Sequence, residues 1–152
     1  MVPLTLRPVQ DYQKLNVMTI KNHYPLPLIS EVVHKLHQAH IFTRLDIRWG
    51  YNNICVKEGN EHKEAFVMNR GLYKPLVVFF GLMKSSATFQ TMMNGIFCEL
   101  KNDGHVIIYM DDIIIFTQDL EEHKCIVKHV LETLQQHNLY LNLRNCLGTR
   151  QD

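Results

Sequence analysis

The chain has 152 residues, 46% of them hydrophobic and 20% charged, a composition that fits one folded domain and excludes a disordered segment. A net charge of +1 gives no overall pull towards a polyanion, and no apolar run approaches the roughly 18 residues that span a bilayer, so no membrane partner is expected. Charge is unevenly placed, however: residues 1–45 carry five bases against two acids and residues 99–122 seven acids against one base, a distribution suited to a phosphate substrate bridged by metal ions.

Residues 4–16 interleave Arg7, Asp11, Gln13 and Lys14 with Leu6, Val9, Tyr12 and Leu15, which predicts a short exposed strand or hairpin. Tyr24-Pro25-Leu26-Pro27 continues neither a helix nor a central strand and reads as an extended connector. Ile29, Val32, Val33 and Leu36 then recur at helical spacing, with His34, Lys35, His37 and Gln38 on the solvated side. Residues 41–47 read as a strand in which Asp46 sits between apolar neighbours, followed at once by Trp49-Gly50-Tyr51. Gly50 would allow backbone or ligand to approach closely, and Tyr51 supplies a rigid ring beside the acid.

Further strands are expected over 54–57, 65–68 and 72–78, the last two joined through Asn69-Arg70-Gly71, whose Asn and Gly supply the positive φ of a tight hairpin. Phe79 to Leu82 close that sheet. Ser85 or Ser86 can cap the next helix, whose stripe is Phe89, Met93, Ile96, Phe97 and Leu100; Gln90 lies off it, as a solvated residue or a contact to nucleic acid. Asp119, with Glu122 three residues on, caps a last long helix burying Leu120, Val127, Val130, Leu131 and Leu134, and residues 139–143 read as a final strand. The fold class is α+β, an antiparallel sheet with helices packed on one face. The cysteines, Cys55, Cys98, Cys125 and Cys146, show no paired spacing and are expected as buried reduced thiols. With no signal segment, a reducing compartment, cytoplasmic or nuclear, is expected.

Between the β-branched runs Val106-Ile107-Ile108 and Ile113-Ile114-Ile115-Phe116 stands Tyr109-Met110-Asp111-Asp112. Asp-Asp is ordinary turn chemistry when isolated. Here two carboxylates about 4 Å apart at the connection of a buried hairpin would repel by roughly 4 kcal/mol at a partly buried site's effective dielectric, so the pattern asks for a cation. Together with Asp46 it points to magnesium, which takes oxygen ligands.

Asp46 in Leu-Asp-Ile-Arg-Trp-Gly-Tyr, Phe80-Gly81-Leu82 with Ala87-Thr88-Phe89-Gln90, and Tyr109-Met110-Asp111-Asp112, in that order, resemble the reverse transcriptases of gypsy-type long-terminal-repeat retrotransposons. Asp11-Tyr12, Leu15-Asn16, Tyr24 to Pro27, Glu121-Glu122-His123 and Asn145-Cys146 extend the resemblance over nearly the whole chain. It implies a right-hand polymerase palm with interleaved fingers, fingers near 1–20 and 54–84 and palm near 21–53 and 85–152, with no thumb or RNase H segment expected inside the chain. It implies RNA-directed DNA polymerisation by two magnesium ions, or manganese in their place, held by Asp46, Asp111 and Asp112. By the same resemblance Arg7, Trp49, Gly50, Tyr51 and Phe80 would bind the incoming deoxynucleoside triphosphate, with Tyr51 blocking a ribose 2′-hydroxyl. Tyr109, Met110 and Gln90 would touch the primer and the RNA or DNA template. A retroelement particle would be the setting, with thumb and RNase H supplied by the rest of a polyprotein. The chain departs from the family pattern at Gln13, Trp49, Phe79 and Lys84-Ser85-Ser86. A non-catalytic relic that keeps the fold as an interaction module is the alternative reading.

Overall fold

A computed structural model of the chain describes residues 10–20, 22, 24, 25, 27–37 and 39–150. Arg7 and most of the segment expected as a first strand lie outside them, and its described remainder is helical: α1 spans Gln13–Met18. Asn16 ties α1 to the loop at residues 81–83, donating from Nδ2 to the Gly81 carbonyl at 2.8 Å and accepting from the Met83 amide at 2.8 Å. Helix α2, Ile29–Leu36, follows the proline connector as the periodicity predicts.

The main sheet is antiparallel, in the order β4-β5-β1-β6. Strand β1 is Ile41–Asp46, β4 Val106–Tyr109, β5 Asp112–Thr117 and β6 Leu147–Arg150. Between β1 and β4 the chain leaves this sheet to form a separate hairpin, β2 (Phe66–Met68) with β3 (Gly71–Tyr73), then returns through α3 (Ser85–Ile96) and α4 (Cys98–Asn102). The strand expected over 54–57 is reduced to one bridge, Cys55 to Val77. Helix α3 stops at Phe97, one residue before α4 begins, so the expected single stripe is carried by two helices.

Alternation along each strand sorts the side chains. Leu45, Val106, Ile108, Ile113 and Ile115 meet Phe89 and Met93 of α3 and Val130 and Leu134 of α5 (Leu120–Gln136) in the main core. Phe89, Met93, Ile113, Ile115 and Val130 are 0% exposed, and each such side chain contributes roughly 1.5–3 kcal/mol by leaving water. Ile107, Ile114, Phe116 and Phe42 face the other way, onto Val32 and Leu36 of α2 and Ala39, so the expectation that helices pack on one face holds for α3 and α5 but not for α2.

Three further expectations need correction. Residues 139–143 do not form a strand: the segment runs past the end of β1 with one bridge, Leu141 to Ile47, and a turn closed by the Asn145 amide on the Asn142 carbonyl sends the chain into β6. The leucine alternation carries no signal of that turn. Leu120 and Leu131 of α5 are 39% and 43% exposed, while His123 and Thr133 are buried in the face assigned to them. Cys55, Cys98 and Cys125 are exposed and Cys146 is partly buried.

His123 joins three elements. Asp119 caps α5, accepting from the amides of Glu121 and Glu122 at 2.8 and 2.9 Å, and its carbonyl accepts the Thr117 hydroxyl proton at 3.1 Å. Thr117 Oγ1 must then accept from His123 Nδ1 at 2.9 Å, which leaves Nε2 to accept from Thr43 Oγ1 at 2.8 Å. Burial lowers the His123 pKa below its ordinary 6.5. The unfolded chain therefore takes up this proton first, and the stability from His123 is full above that value and lost as pH falls through it. The urea midpoint is expected to fall between pH 7.5 and pH 5.5, and His123→Gln is expected to flatten that slope; an equal slope in both proteins would assign it to other groups.

Candidate functional site

The three acids gather where β1 ends and β5 begins. Asp46 and Asp112 are directly paired in register, and Tyr109 pairs with Asp112 to close the β4–β5 hairpin, leaving Met110 and Asp111 as a two-residue turn. Met110 has φ of 52°, the left-handed geometry such hairpins require. The Ile47 amide donates to the Asp111 carbonyl at 2.9 Å and stitches the exit of β1 to this turn.

A 3-10 turn, Gly50–Asn53, fits beneath. A Cβ on Gly50 would collide with Asp111 Oδ1 and Cγ, so glycine makes the space in which that carboxylate sits, and Asp111 Oδ1 is buried there. Just before it Trp49 is held at φ of 56°, a conformation that costs a bulky residue roughly 1–3 kcal/mol. Asn53 Nδ2 lies within hydrogen-bonding distance of the carbonyls of Arg48, Trp49 and Gly50, at 3.2, 3.3 and 3.2 Å, and supports that bend. Trp49 is 67% exposed, with the Arg48 guanidinium 4.3 Å from its ring centre. Trp49 and Met110, two strained residues, thus flank the acids.

Asp46 and Asp112 share the sheet face of Arg44. Arg44 Nε donates to Asp112 Oδ1 at 2.9 Å, and the guanidinium pKa is raised by that bond first and by the charge of Asp112 second. Asn145 Nδ2 donates to Asp46 Oδ2, while the Asn142 amide donates to the Asp46 carbonyl at 2.8 Å. Among the described residues no three Asp, Glu, His or Cys side chains converge into a ready-made metal cage. The carboxylates are adjacent in the backbone and turned to different partners.

The remaining expected residues divide. Tyr51 and Phe80 come together, their rings edge to face at 5.0 Å, with Phe89 on Tyr51 at 5.8 Å. Tyr51 is 9% exposed, and its hydroxyl meets Ser86 Oγ at 3.0 Å. Tyr109 and Met110 are half-buried in the hairpin. Gln90 is corrected most: it is 0% exposed, donating from Nε2 to the Ile108 carbonyl at 3.0 Å and accepting from the Met110 amide at 3.0 Å. Its amide clamps the acidic turn from within, so it is not the solvated helix residue that its place off the apolar stripe suggests. Arg7 lies outside the described residues.

The sequence assigns no role to Arg44 or Asn53, and it offers Asn145 only as a landmark of the resemblance, with no link to Asp46. Arg44 was within reach of sequence reading, since a residue two before Asp46 on a strand shares its face. Asn145 was not, because nothing local says that a chain segment 99 residues away returns to Asp46.

The family described as Reverse transcriptase (RNA-dependent DNA polymerase) matches residues 3–150. The Transposon Tf2-3 polyprotein of Schizosaccharomyces pombe is 43% identical over 142 residues, 93% of this chain, and the Tf2-7 polyprotein of the same organism is 42% identical over the same length. The chain spans 11% of the length of these polyproteins. Among solved structures, a foamy viral protease-reverse transcriptase in complex with an RNA/DNA hybrid superposes with a TM-score of 0.84 at 19% identity, over 93% of this chain and 19% of that one. The same viral protein with double-stranded DNA, its chain designated dRH, gives 0.83 at 18% identity, over 92% and 24%.

Proposed function

The chain belongs to the reverse transcriptase family, and from that premise we propose that it is the palm and part of the fingers of an RNA-directed DNA polymerase from a gypsy-type retrotransposon polyprotein. The observation that carries the reading is the juxtaposition of Asp46, Asp111 and Asp112 at one sheet end, with Gly50 making room for Asp111. Three hard oxygen donors on adjacent backbone fit magnesium, or manganese in its place, once Asp112 leaves Arg44 and Asp46 leaves Asn145. Two bound ions would supply charge neutralisation at the transferred phosphoryl group and lower the pKa of the attacking hydroxyl.

The residues of the chain do the positioning. The Gln90 clamp and the Ile47–Asp111 bond fix the turn that presents Met110 and Tyr109 to a primer end. Trp49, Gly50, Tyr51 and Phe80, of which Tyr51 and Phe80 are in ring contact, would bind the incoming deoxynucleoside triphosphate, with Arg7 as its fingers contact. Fingers over about 1–20 and 54–84 and palm over about 21–53 and 85–152 accord with the β2–β3 hairpin standing apart from the main sheet. A primer on an RNA or DNA template is the expected partner, with a thumb and RNase H from the remainder of the polyprotein, in a retroelement particle of the cytoplasm or nucleus. None of the helices over the described residues is long and apolar enough to cross a membrane.

The deciding experiment is extension of a primed RNA template by the chain fused to a thumb, with magnesium and all four deoxynucleoside triphosphates. Products whose sequence follows the template are expected; binding of the primed template without extension would leave only the fold. Tyr51 supplies a second measurement. Its ring is held by Phe80, Phe89 and the Ser86 hydroxyl, a mounting suited to a rigid wall. Tyr51→Val is expected to shift the ribo- to deoxyribonucleotide incorporation ratio by about tenfold or more, because the wall alone rejects the extra hydroxyl. Tyr51→Phe keeps the ring and is expected to keep the ratio. An unchanged ratio in Tyr51→Val would assign the ring to core packing.

A further inference from the structure

Carboxylates directly opposite one another on neighbouring antiparallel strands have Cβ atoms about 4.5–5.5 Å apart, and like charges so placed destabilise the sheet. Asp46 and Asp112 are such a pair. In this chain each is engaged by a neighbour from a different element. Arg44, two residues before Asp46 on β1, reaches diagonally to Asp112 Oδ1 at 2.9 Å. Asn145 donates to Asp46 Oδ2 from a turn built for it, its own amide bonded to the Asn142 carbonyl at 2.9 Å and the Asn142 amide to the Asp46 carbonyl at 2.8 Å.

Resting on the two-metal reading above, we propose that Arg44 is a positioning residue which, with Asn145, holds Asp112 and Asp46 apart in the metal-free chain and sets the divalent cation concentration at which the site assembles. A guanidinium stays charged at any working pH, so it neutralises Asp112 constantly, but it offers only donors and cannot gather several carboxylates around itself. A divalent ion brings twice the charge and accepts oxygen ligands from both acids. Asp112 Oδ1 cannot serve Arg44 and an ion in one geometry, so cation binding competes with the ion pair.

Release is easy in structural terms. The Arg44 side chain is 48% exposed and that of Asp112 30% exposed, so the guanidinium can turn into solvent while the Arg44 backbone keeps its places opposite Ile114 and Leu147. The latch is therefore weak by construction. It spares the empty site the repulsion of two facing acids, and its loss should tighten cation binding by the modest factor that an exposed ion pair represents.

Manganese is the probe. Free Mn2+ is followed by electron paramagnetic resonance during titration of the 152-residue chain, its Arg44→Gln, Asn145→Ala and Asp46→Asn variants. Arg44→Gln is expected to lower the Mn2+ dissociation constant by about two- to fivefold, the scale of an exposed pair, with Asn145→Ala moving it the same way and Asp46→Asn raising it. A second reading uses magnesium. The Arg44 Nε–H resonance of the metal-free chain, protected by Asp112, should lose its protection as Mg2+ is added. Binding that depends on Asp46 but is unchanged in Arg44→Gln, with the Nε–H signal unmoved by Mg2+, would overturn the latch and leave the polymerase reading standing. No Mn2+ bound by any of the proteins would overturn both.

Discussion

Asp111→Asn is expected to lower template-directed extension by at least about a thousandfold, since a metal clamp supplies several kcal/mol of transition-state stabilisation and each 1.36 kcal/mol is a factor of ten. The substitution keeps the size and one oxygen of the side chain, which lies in the space left by Gly50, so the fold has no steric reason to respond. What is lost is the charge that would hold an ion against a triphosphate. Asp46→Asn should act alike, and the metal-free chain should be no less stable, because one of two facing negative charges has gone. Gly50→Ala attacks the same carboxylate from outside: its methyl would collide with Asp111 Oδ1, and displacement by about 1 Å is enough to cost roughly a hundredfold in rate. Extension rates and urea midpoints for the three proteins are the measurements. Normal extension by Asp46→Asn would remove the acids from the chemistry.

Gln90→Leu is expected to destabilise the chain by about 3 kcal/mol, because it strands one buried and one partly buried backbone group, at about 1–3 kcal/mol for each when unpaired. Those groups are the Ile108 carbonyl and the Met110 amide, which lie on either side of Tyr109 at the entry to the acidic turn. For a chain of this size the loss corresponds to a fall of roughly 10 °C in melting temperature. A solvated helix residue would change stability by only about ±0.5 kcal/mol, so one melting curve separates the two placements. Extension should fall as well, since the left-handed Met110 loses the bond that holds it.

How legible the site was differed by residue. Asp46, Asp111 and Asp112 could be read because acids between β-branched runs are a poor structural choice and so carry a signal of their own. Gly50 was readable as a close-approach position, though not that Asp111 is what approaches it. The burial of Gln90 is not legible, because helical periodicity reports only its apolar neighbours, and a polar residue off an apolar stripe looks solvated. Whether a polar side chain is buried depends on whether unpaired backbone lies opposite, and that is a property of a hairpin about 20 residues further on.

By itself the sequence determined the elements whose pattern is local: α2, β1, β4, β5 and α5 with its Asp119 cap arise from apolar periodicity and capping chemistry contained in each segment. It also determined that three carboxylates sit at the ends of buried strands. Tertiary structure alone decided which strand lies beside which, and hence that Asp46 faces Asp112 in register. It decided that α2 covers the second face of the sheet, that residues 139–145 turn beside β1 before β6 joins the edge, and that Arg44 and Asn145 occupy the acids. The reason is range: periodicity fixes which side of an element is apolar within a few residues, whereas pairing, register and polar partnership depend on contacts between segments far apart in the chain, whose geometry exists only once the sheet has closed.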